Sequence, residues 1–288
     1  MPMGLHLGLG LGNPPQGIAL EAETQAYLTA QGANPFTGAT ANAVNNTIKE
    51  LKRLGLWSTT QFAGLYFLAN PTDKVAAPTL VNAINPTDAT IGTATAVNAP
   101  TWDSVTGLGW TGGTGKAINT KNKFSLGLAG KQNNISMGVY NRTINPAAAY
   151  PRFIAGFYNT YCNMIISIRN TNNQTSGSAV ASNFANSAEI ADNLFGGLVS
   201  VDRKLSNVQK VFRNGVEIAA DNRISIDPTN YDYPKLLLAA SSDENGAITY
   251  PSSSQICFAW IGASIQDNIV SFYNTILNFY LIPLGLNV

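Results

Sequence analysis

The sequence predicts a mainly β protein: a sandwich of two sheets with a small helical unit before it and one helix after it. Three observations predict this. From about residue 62, short apolar runs alternate with clusters of Asn, Gly, Pro, Ser and Thr, the texture of many short strands joined by turns. Before that point, residues 40–54 place apolar side chains at three- and four-residue spacing, a helical period. A second such stripe closes the chain after Asp267.

In chain order, residues 1–17 come first as an extended Gly/Leu arm. Leu5, Leu7, Leu9 and Leu11 alternate with Gly8, Gly10 and Gly12, and Pro14 and Pro15 follow. Period-2 leucines fit an extended segment. Two readings stay open: a loose terminus, or an arm that lies on another subunit and buries its leucines there.

Residues 18–61 read as a helical attachment unit. Residues 20–31 are helical, with Gly32 as the stop. In residues 40–54 the stripe is Val44, Thr47, Ile48, Leu51 and Leu54. Lys49, Lys52 and Arg53 stand in the last turns, where cations complement the helix dipole. Gly55 supplies the C-terminal cap, and Leu56 and Trp57 close the unit.

Residues 62–288 form the sandwich with its terminal helix. The expected strands are 64–69, 79–84, 95–103, 107–111, 116–119, 134–141, 152–158, 161–169, 178–182, 194–202, 207–213, 216–219, 235–241 and 255–262. Asn214-Gly215 is the two-residue turn that type I′ hairpins prefer. For the last helix Asp267 is the expected cap. Ile269, Val270, Tyr273, Ile276, Leu277 and Tyr280 form the apolar stripe, and Pro283 and Gly285 the stop.

Composition narrows function. Of 288 residues only 11% are charged and the net charge is +1, against about 25% charged in an average soluble domain. Such a surface offers no electrostatic footprint for a nucleic-acid backbone. It also gives little colloidal repulsion, which suits a component of an assembly. No run approaches the ~20 apolar residues of a membrane span, and the N-terminus lacks the basic region of a signal peptide. Synthesis in a cytoplasm without a cleaved export signal is the expectation.

The motifs that invite an enzymatic reading fail on context. Gly107, Gly109 and Gly112 match GxGxxG, but the following TGGTGKAINT cannot open the helix a dinucleotide needs. The run before Lys116 resembles a phosphate loop, yet Trp110 stands where its first glycine belongs. His6 is the one histidine and lies in the arm, so a positioned catalytic imidazole is not expected. Cys162 and Cys257 read as strand interiors without a zinc pattern.

Carboxylates and aromatics remain. Paired carboxylates for glycan cleavage would need close spacing on one strand. Glu189, Asp192, Asp243 and Glu244 instead read as loop acids, the last two beside the turn Asn245-Gly246. Trp102, Trp110, Tyr150, Tyr158, Tyr161, Tyr231, Tyr233 and Tyr250 include several near expected loops, where aromatic faces could stack on sugars. An aromatic in a β sandwich is more often a core residue than a ligand platform. No catalytic, cofactor or metal residue is assigned, no cofactor is expected, and the ligand residues are left unknown.

Two stretches carry a family resemblance. VQKVFRNGVEIA at 208–219 resembles the strand–NG–strand hairpin of concanavalin A-like and laminin-G-like jelly rolls. EAETQAYLTAQG and AVNNTIKELKRLGLWSTTQFAGLYFLAN resemble a helical unit and first strand of tailed-bacteriophage virion proteins. The pattern continues through AVNAPTWDSVTGLGWTGGTGKAINT and closes with ICFAWIGASIQDNIVSFYNTILNFY, covering most of residues 20–282. The resemblance implies a mainly β, concanavalin A-like jelly-roll sandwich and a non-enzymatic virion structural protein of tail or head surface. The Gly/Leu arm, which lies outside the resemblance, is the expected means of attachment. The protein's implied partners are other virion proteins, further copies of itself as a homo-oligomer, and, in a tail fibre or spike, a host surface glycan. A glycan-cleaving enzyme of the same fold is the remaining alternative. Neither nucleic acid nor membrane is an expected partner.

Overall fold

The computed structural model describes residues 19–122, 133–143, 152–157, 163–169, 175–181, 188–190, 196–225, 237–242, 247–249, 252 and 254–286. The Gly/Leu arm and His6 lie outside them.

Two helices come first, α1 (Ala22–Ala30) and α2 (Gly38–Arg53). The stripe predicted for α2 is its buried side, with Val44, Ile48 and Leu51 fully enclosed. Its end is a Schellman motif: Gly55, at φ +70°, donates to the Lys52 carbonyl and Leu56 to the Leu51 carbonyl. A side chain at Gly55 would be strained there, so the glycine fixes where the chain turns toward the sheet.

The strands follow as β1 (Phe62–Phe67), β2 (Thr95–Val97), β3 (Thr101–Trp102), β4 (Trp110–Thr111), β5 (Ala117–Asn119), β6 (Ile135–Thr143), β7 (Arg152–Phe157), β8 (Asn163–Arg169) and β9 (Thr175–Ala181). They continue as β10 (Ala188–Ile190), β11 (Gly197–Leu205), β12 (Val208–Arg213), β13 (Val216–Asp221), β14 (Leu237–Leu238), β15 (Ser241–Ser242), β16 (Ile248–Thr249) and β17 (Gln255–Gly262). Among the described residues they form two sheets. An eight-stranded sheet runs β13-β12-β11-β6-β17-β4-β3, with β1 also paired to β17. A nine-stranded sheet runs β10-β9-β8-β7-β14-β5-β2, with β15 and β16 attached at β7. The chain crosses between them repeatedly, so hairpin neighbours such as β11-β12 and β8-β9 stand beside pairs distant in sequence such as β6-β17 and β7-β14. This is the mainly β jelly-roll sandwich expected, with its helical pair and C-terminal helix.

The space between the sheets is filled mostly by aliphatic side chains, with Tyr66 and Trp110 among them. Ile135, Met137, Val139, Val199, Val201, Val211, Ile256 and Ile261 of one sheet meet Ile118, Met164, Ile166 and Leu238 of the other. On the opposite side of the eight-stranded sheet, Phe67, Tyr140, Leu198, Phe212, Phe258 and Trp260 join Tyr27, Val44, Ile48, Phe272, Ile276 and Tyr280 from the helices. One sheet is therefore buried on both faces, which explains why β17 reads QICFAWIG without polar alternation.

Several elements depart from the sequence pattern, each for a local reason. Residues 79–84 are not a strand. Pro78 opens a short 3₁₀ turn at Ala77–Leu80, and only Val81 makes a bridge, to Thr93. The run 95–103 splits into β2 and β3 because Asn98 and Ala99 both have φ near +50°, which ends an extended strand. Ala239, at φ +64°, likewise parts β14 from β15 within 235–241. The NG hairpin holds: Asn214 and Gly215 have φ of 51° and 78°, the type I′ signature.

The C-terminal helix is continuous from a 3₁₀ turn (Gln266–Asn268) through α3 (Ile269–Thr275) into a π-helical segment (Ile276–Leu281). Two expectations about it are corrected. Asp267 does not cap it but pairs with Lys204. Val270 is 57% exposed, and Phe272 takes its place in the buried stripe. The initial 3₁₀ turn and the π segment change the rotation per residue, so a uniform 3.6 period misassigns the face.

Candidate functional site

The helix-facing side of the eight-stranded sheet holds the richest chemistry among the described residues. Its cross-strand register arranges side chains in rows. Phe258, Tyr140 and Leu198 lie side by side in one row. Trp260, Gly138, Ser200 and Phe212 form the next. Gly262, Ser136, Asp202 and Lys210 form the last, at the end of the sheet where the C-terminal helix is entered.

The middle row depends on a glycine. The Trp260 indole lies flat across Gly138, and a Cβ there would fall 2.0 Å from the ring. The indole then reaches Ser136, donating to its Oγ at 3.1 Å, and packs on Phe272 of α3 with ring centres 4.9 Å apart. Tyr280 anchors the other end of the helix. Its hydroxyl accepts from the Ala69 amide at 3.1 Å and lies 3.2 Å from the Ala69 carbonyl. Burial pushes its ionisation far above the ordinary phenol range.

The last row contains a buried acid. Asp202 is fully enclosed. Its carboxyl accepts from the Ser264 hydroxyl and from the Ile265 amide, the latter at 2.8 Å. Burial is the largest influence and pushes its pKa up to about 6, against the lowering effect of its donors. Sequence reasoning missed this residue. The visible signal is a charged pair, Asp202-Arg203, in the middle of the apolar strand LVSVDRKL. Arg203 is equally buried and donates to the carbonyls of Ser206 and Arg223 at 2.9 Å, so it ties a strand end to its neighbouring loop.

The helical pair supplies the point from which the N-terminal arm departs. The Glu21 amide donates to Asn45 Oδ1 at 2.8 Å, and Lys52 reaches Glu21 at 2.7 Å and Glu23 at 2.8 Å. Tyr27 packs on Phe36 and on Phe67 of β1 with ring centres 5.9 and 6.0 Å apart. On the other side of α2, Asn46, Lys49, Glu50 and Arg53 line an open groove of about 400 Å³ with Phe279. Arg53 and Glu50, one turn apart on α2, are paired beside it, which holds the Glu50 carboxyl below its ordinary range.

The residues singled out from sequence are dispersed. Gly107 and Gly109 sit in the turn between β3 and β4, with φ of +71° and +137°, and no helix follows them. Gly107 abuts the Asn70 backbone, to whose amide its carbonyl is bonded at 2.7 Å. Trp102 and Trp110 pack together at 5.4 Å. Their indole N–H groups are spent on the Lys74 carbonyl and Thr79 Oγ1, so they serve the sheet edge. Cys257 is a buried free thiol whose ionisation burial drives upward. Cys162, Tyr150, Tyr158, Tyr161, Tyr231, Tyr233, Tyr250, Asp192, Asp243 and Glu244 lie outside the described residues, and Glu189 is placed only as a position in β10.

Among the described residues no three His, Cys, Asp or Glu side chains come together as a metal site. No described helix is long and apolar enough to cross a membrane.

No protein-family model matches the chain, and no curated relative matches it. Solved structures do. Domain 4 of AbnA, a GH43 extracellular arabinanase from Geobacillus stearothermophilus, aligns with 74% of this chain and 98% of its own at 11% identity and a TM-score of 0.47. A Trypanosoma rangeli sialidase mutant displaying trans-sialidase activity aligns with 82% of this chain and 39% of its own, at 12% identity and a TM-score of 0.49. The binding domain of botulinum neurotoxin serotype D aligns with 75% of this chain and 52% of its own, at 12% identity and a TM-score of 0.45. The match thus spans only part of the latter two proteins. Likenesses this distant carry no functional argument.

Proposed function

We propose that this chain is a non-enzymatic structural component of a tailed-phage particle, held there by its N-terminal arm and presenting the sandwich outward. The observation that carries the reading is how firmly the arm's base is fixed. Residues 19–30 are not a loose leader. From this stretch Tyr27 enters the same hydrophobic cluster as α2, the C-terminal helix and the face of the eight-stranded sheet, with Leu28 and Ala30 packed against it, and Glu21 is bonded to α2 through both backbone and side chain. A pull on the preceding segment would pass directly into the sandwich.

Two sequence features support it: the resemblance of residues 20–282 to virion proteins, and a charged fraction of only 11%, which favours association over free solution. The partners are then other virion proteins and further copies of the chain, and its place is the virion.

The test uses purified particles. Mass spectrometry and immunogold labelling with antibody to residues 62–288 should find the protein on head or tail. A chain lacking residues 1–17 should fold, with an unchanged melting temperature, and fail to enter particles. Normal incorporation of the truncated chain would overturn anchoring by the arm. Absence of the protein from particles would overturn the virion reading itself.

A further inference from the structure

The corner at residues 263–265, between β17 and the C-terminal helix, is held at three places: Gln61 donates to the Ala263 carbonyl at 3.0 Å, Asn134 Oδ1 accepts from the Ser264 amide at 2.9 Å, and Asp202 binds Ser264 and Ile265 at the helix entrance. Asp202 receives the Ser264 hydroxyl on one carboxyl oxygen and the Ile265 amide on the other, and Ser136 also hydrogen-bonds to it. Among the described residues no cation is paired with it. From β12, Lys210 is its cross-strand neighbour, but the ammonium is bound to Glu217 at 2.7 Å. From β11 itself, Lys204 is paired with Asp267, and Arg203 is turned to the Ser206 and Arg223 carbonyls and to Gln209. The 3₁₀ turn contributes Asp267, which adds repulsion. β6 and β17 contribute only neutral groups to the row, Ser136 and Gly262, with the Trp260 indole donating to Ser136.

We propose that Asp202 is a proton-gated latch on the C-terminal helix. Uncharged, it holds the 263–265 corner against the sheet; charged, it loosens the corner and the start of the helix. An ionised carboxylate enclosed without a counter-charge is costly to keep dry. A neutral carboxyl in the same place can bond to the two serine hydroxyls, which rotate to serve as donor or acceptor. The direction of the titration agrees. The folded protein binds this proton more tightly, near pH 6, than an unfolded aspartate, near about 4. The stability it contributes is therefore complete below about pH 4 and is lost as pH rises through about 6. This proposal does not depend on a role in a particle.

The experiment compares wild type with Asp202→Asn, which imitates the neutral acid, in denaturant unfolding and in hydrogen exchange of residues 263–281 at pH 4.5 and 7.5. The unfolding equilibrium of wild type should shift toward the unfolded state by roughly tenfold or more at the higher pH, relative to the variant. Helix-entry amides, corrected for intrinsic rates, should lose protection in wild type and keep it in Asp202→Asn. An identical pH dependence in both proteins, or a variant less stable than wild type at pH 7.5, would overturn the latch. Should the variant fail to fold, a ¹³C titration of aspartate carboxyls in wild type decides: a buried carboxyl titrating near pH 6 supports the proposal, and none above pH 5 overturns it.

Discussion

On the side of the eight-stranded sheet that meets the helices, the buried side chains include Phe62, Phe67, Tyr140, Phe212, Phe258 and Trp260; on the side that meets the second sheet they include Ile135, Met137, Val139, Val201, Val211 and Ile261. The same strands supply both sets. The difference follows from what lies opposite. A facing sheet stands at a nearly constant distance of about 10 Å, which branched aliphatic side chains fill in register. Helices present ridges at varying height, and large rings bridge the wider gaps, here in an almost continuous chain from Tyr27 through Phe67 and Phe258 to Trp260 and Phe272. Strand alternation therefore places most of the large rings on one side and most of the branched aliphatic residues on the other, with Tyr66, Trp110 and Leu65 among the exceptions, rather than separating apolar from polar.

That contrast can be broken most sharply at Trp260. Trp260→Ala should cost about 3–5 kcal/mol in chemical denaturation. The loss should appear in one cooperative transition, because helices and sheet share a cluster; two separated transitions would mean that the helices form an independent layer. Gly138→Ala approaches the same contact from the other side. Its new methyl would displace the indole, with an expected loss of about 1–3 kcal/mol and a change in tryptophan fluorescence. An unaltered spectrum and stability would show that the ring does not rest on the glycine. On the aliphatic face, Ile261→Val should cost only about 0.5–1.5 kcal/mol, and a loss as large as that at Trp260 would erase the distinction.

Much of this was legible from local pattern. The α2 stripe, its glycine cap and the type I′ hairpin at Asn214-Gly215 rest on interactions within a few residues, where spacing and backbone preference act directly. The short strands were legible as existing and less so at their ends, because positive φ at Asn98, Ala99 and Ala239 leaves no mark in composition. The terminal helix was recognised as a helix, but its buried face was misassigned at Val270, since its changing pitch is visible only in the folded chain. The Asp202 row was not legible. Ser136, Asp202 and Ser264 are far apart in sequence and meet only through the register that sets β6 between β11 and β17.

By itself, then, the amino-acid sequence determined that this chain makes a low-charge, mainly β protein with helices at both ends, because period, turn chemistry and composition are local or summed quantities. Only the tertiary structure decided that both sets of helices cover the same face of the same sheet, that Gly138 serves Trp260, and that an aspartate is sealed at the helix entrance with no counter-charge among the described residues. Burial and partner choice depend on which strands become neighbours, and in a sandwich whose chain crosses between two sheets that order is set by global packing.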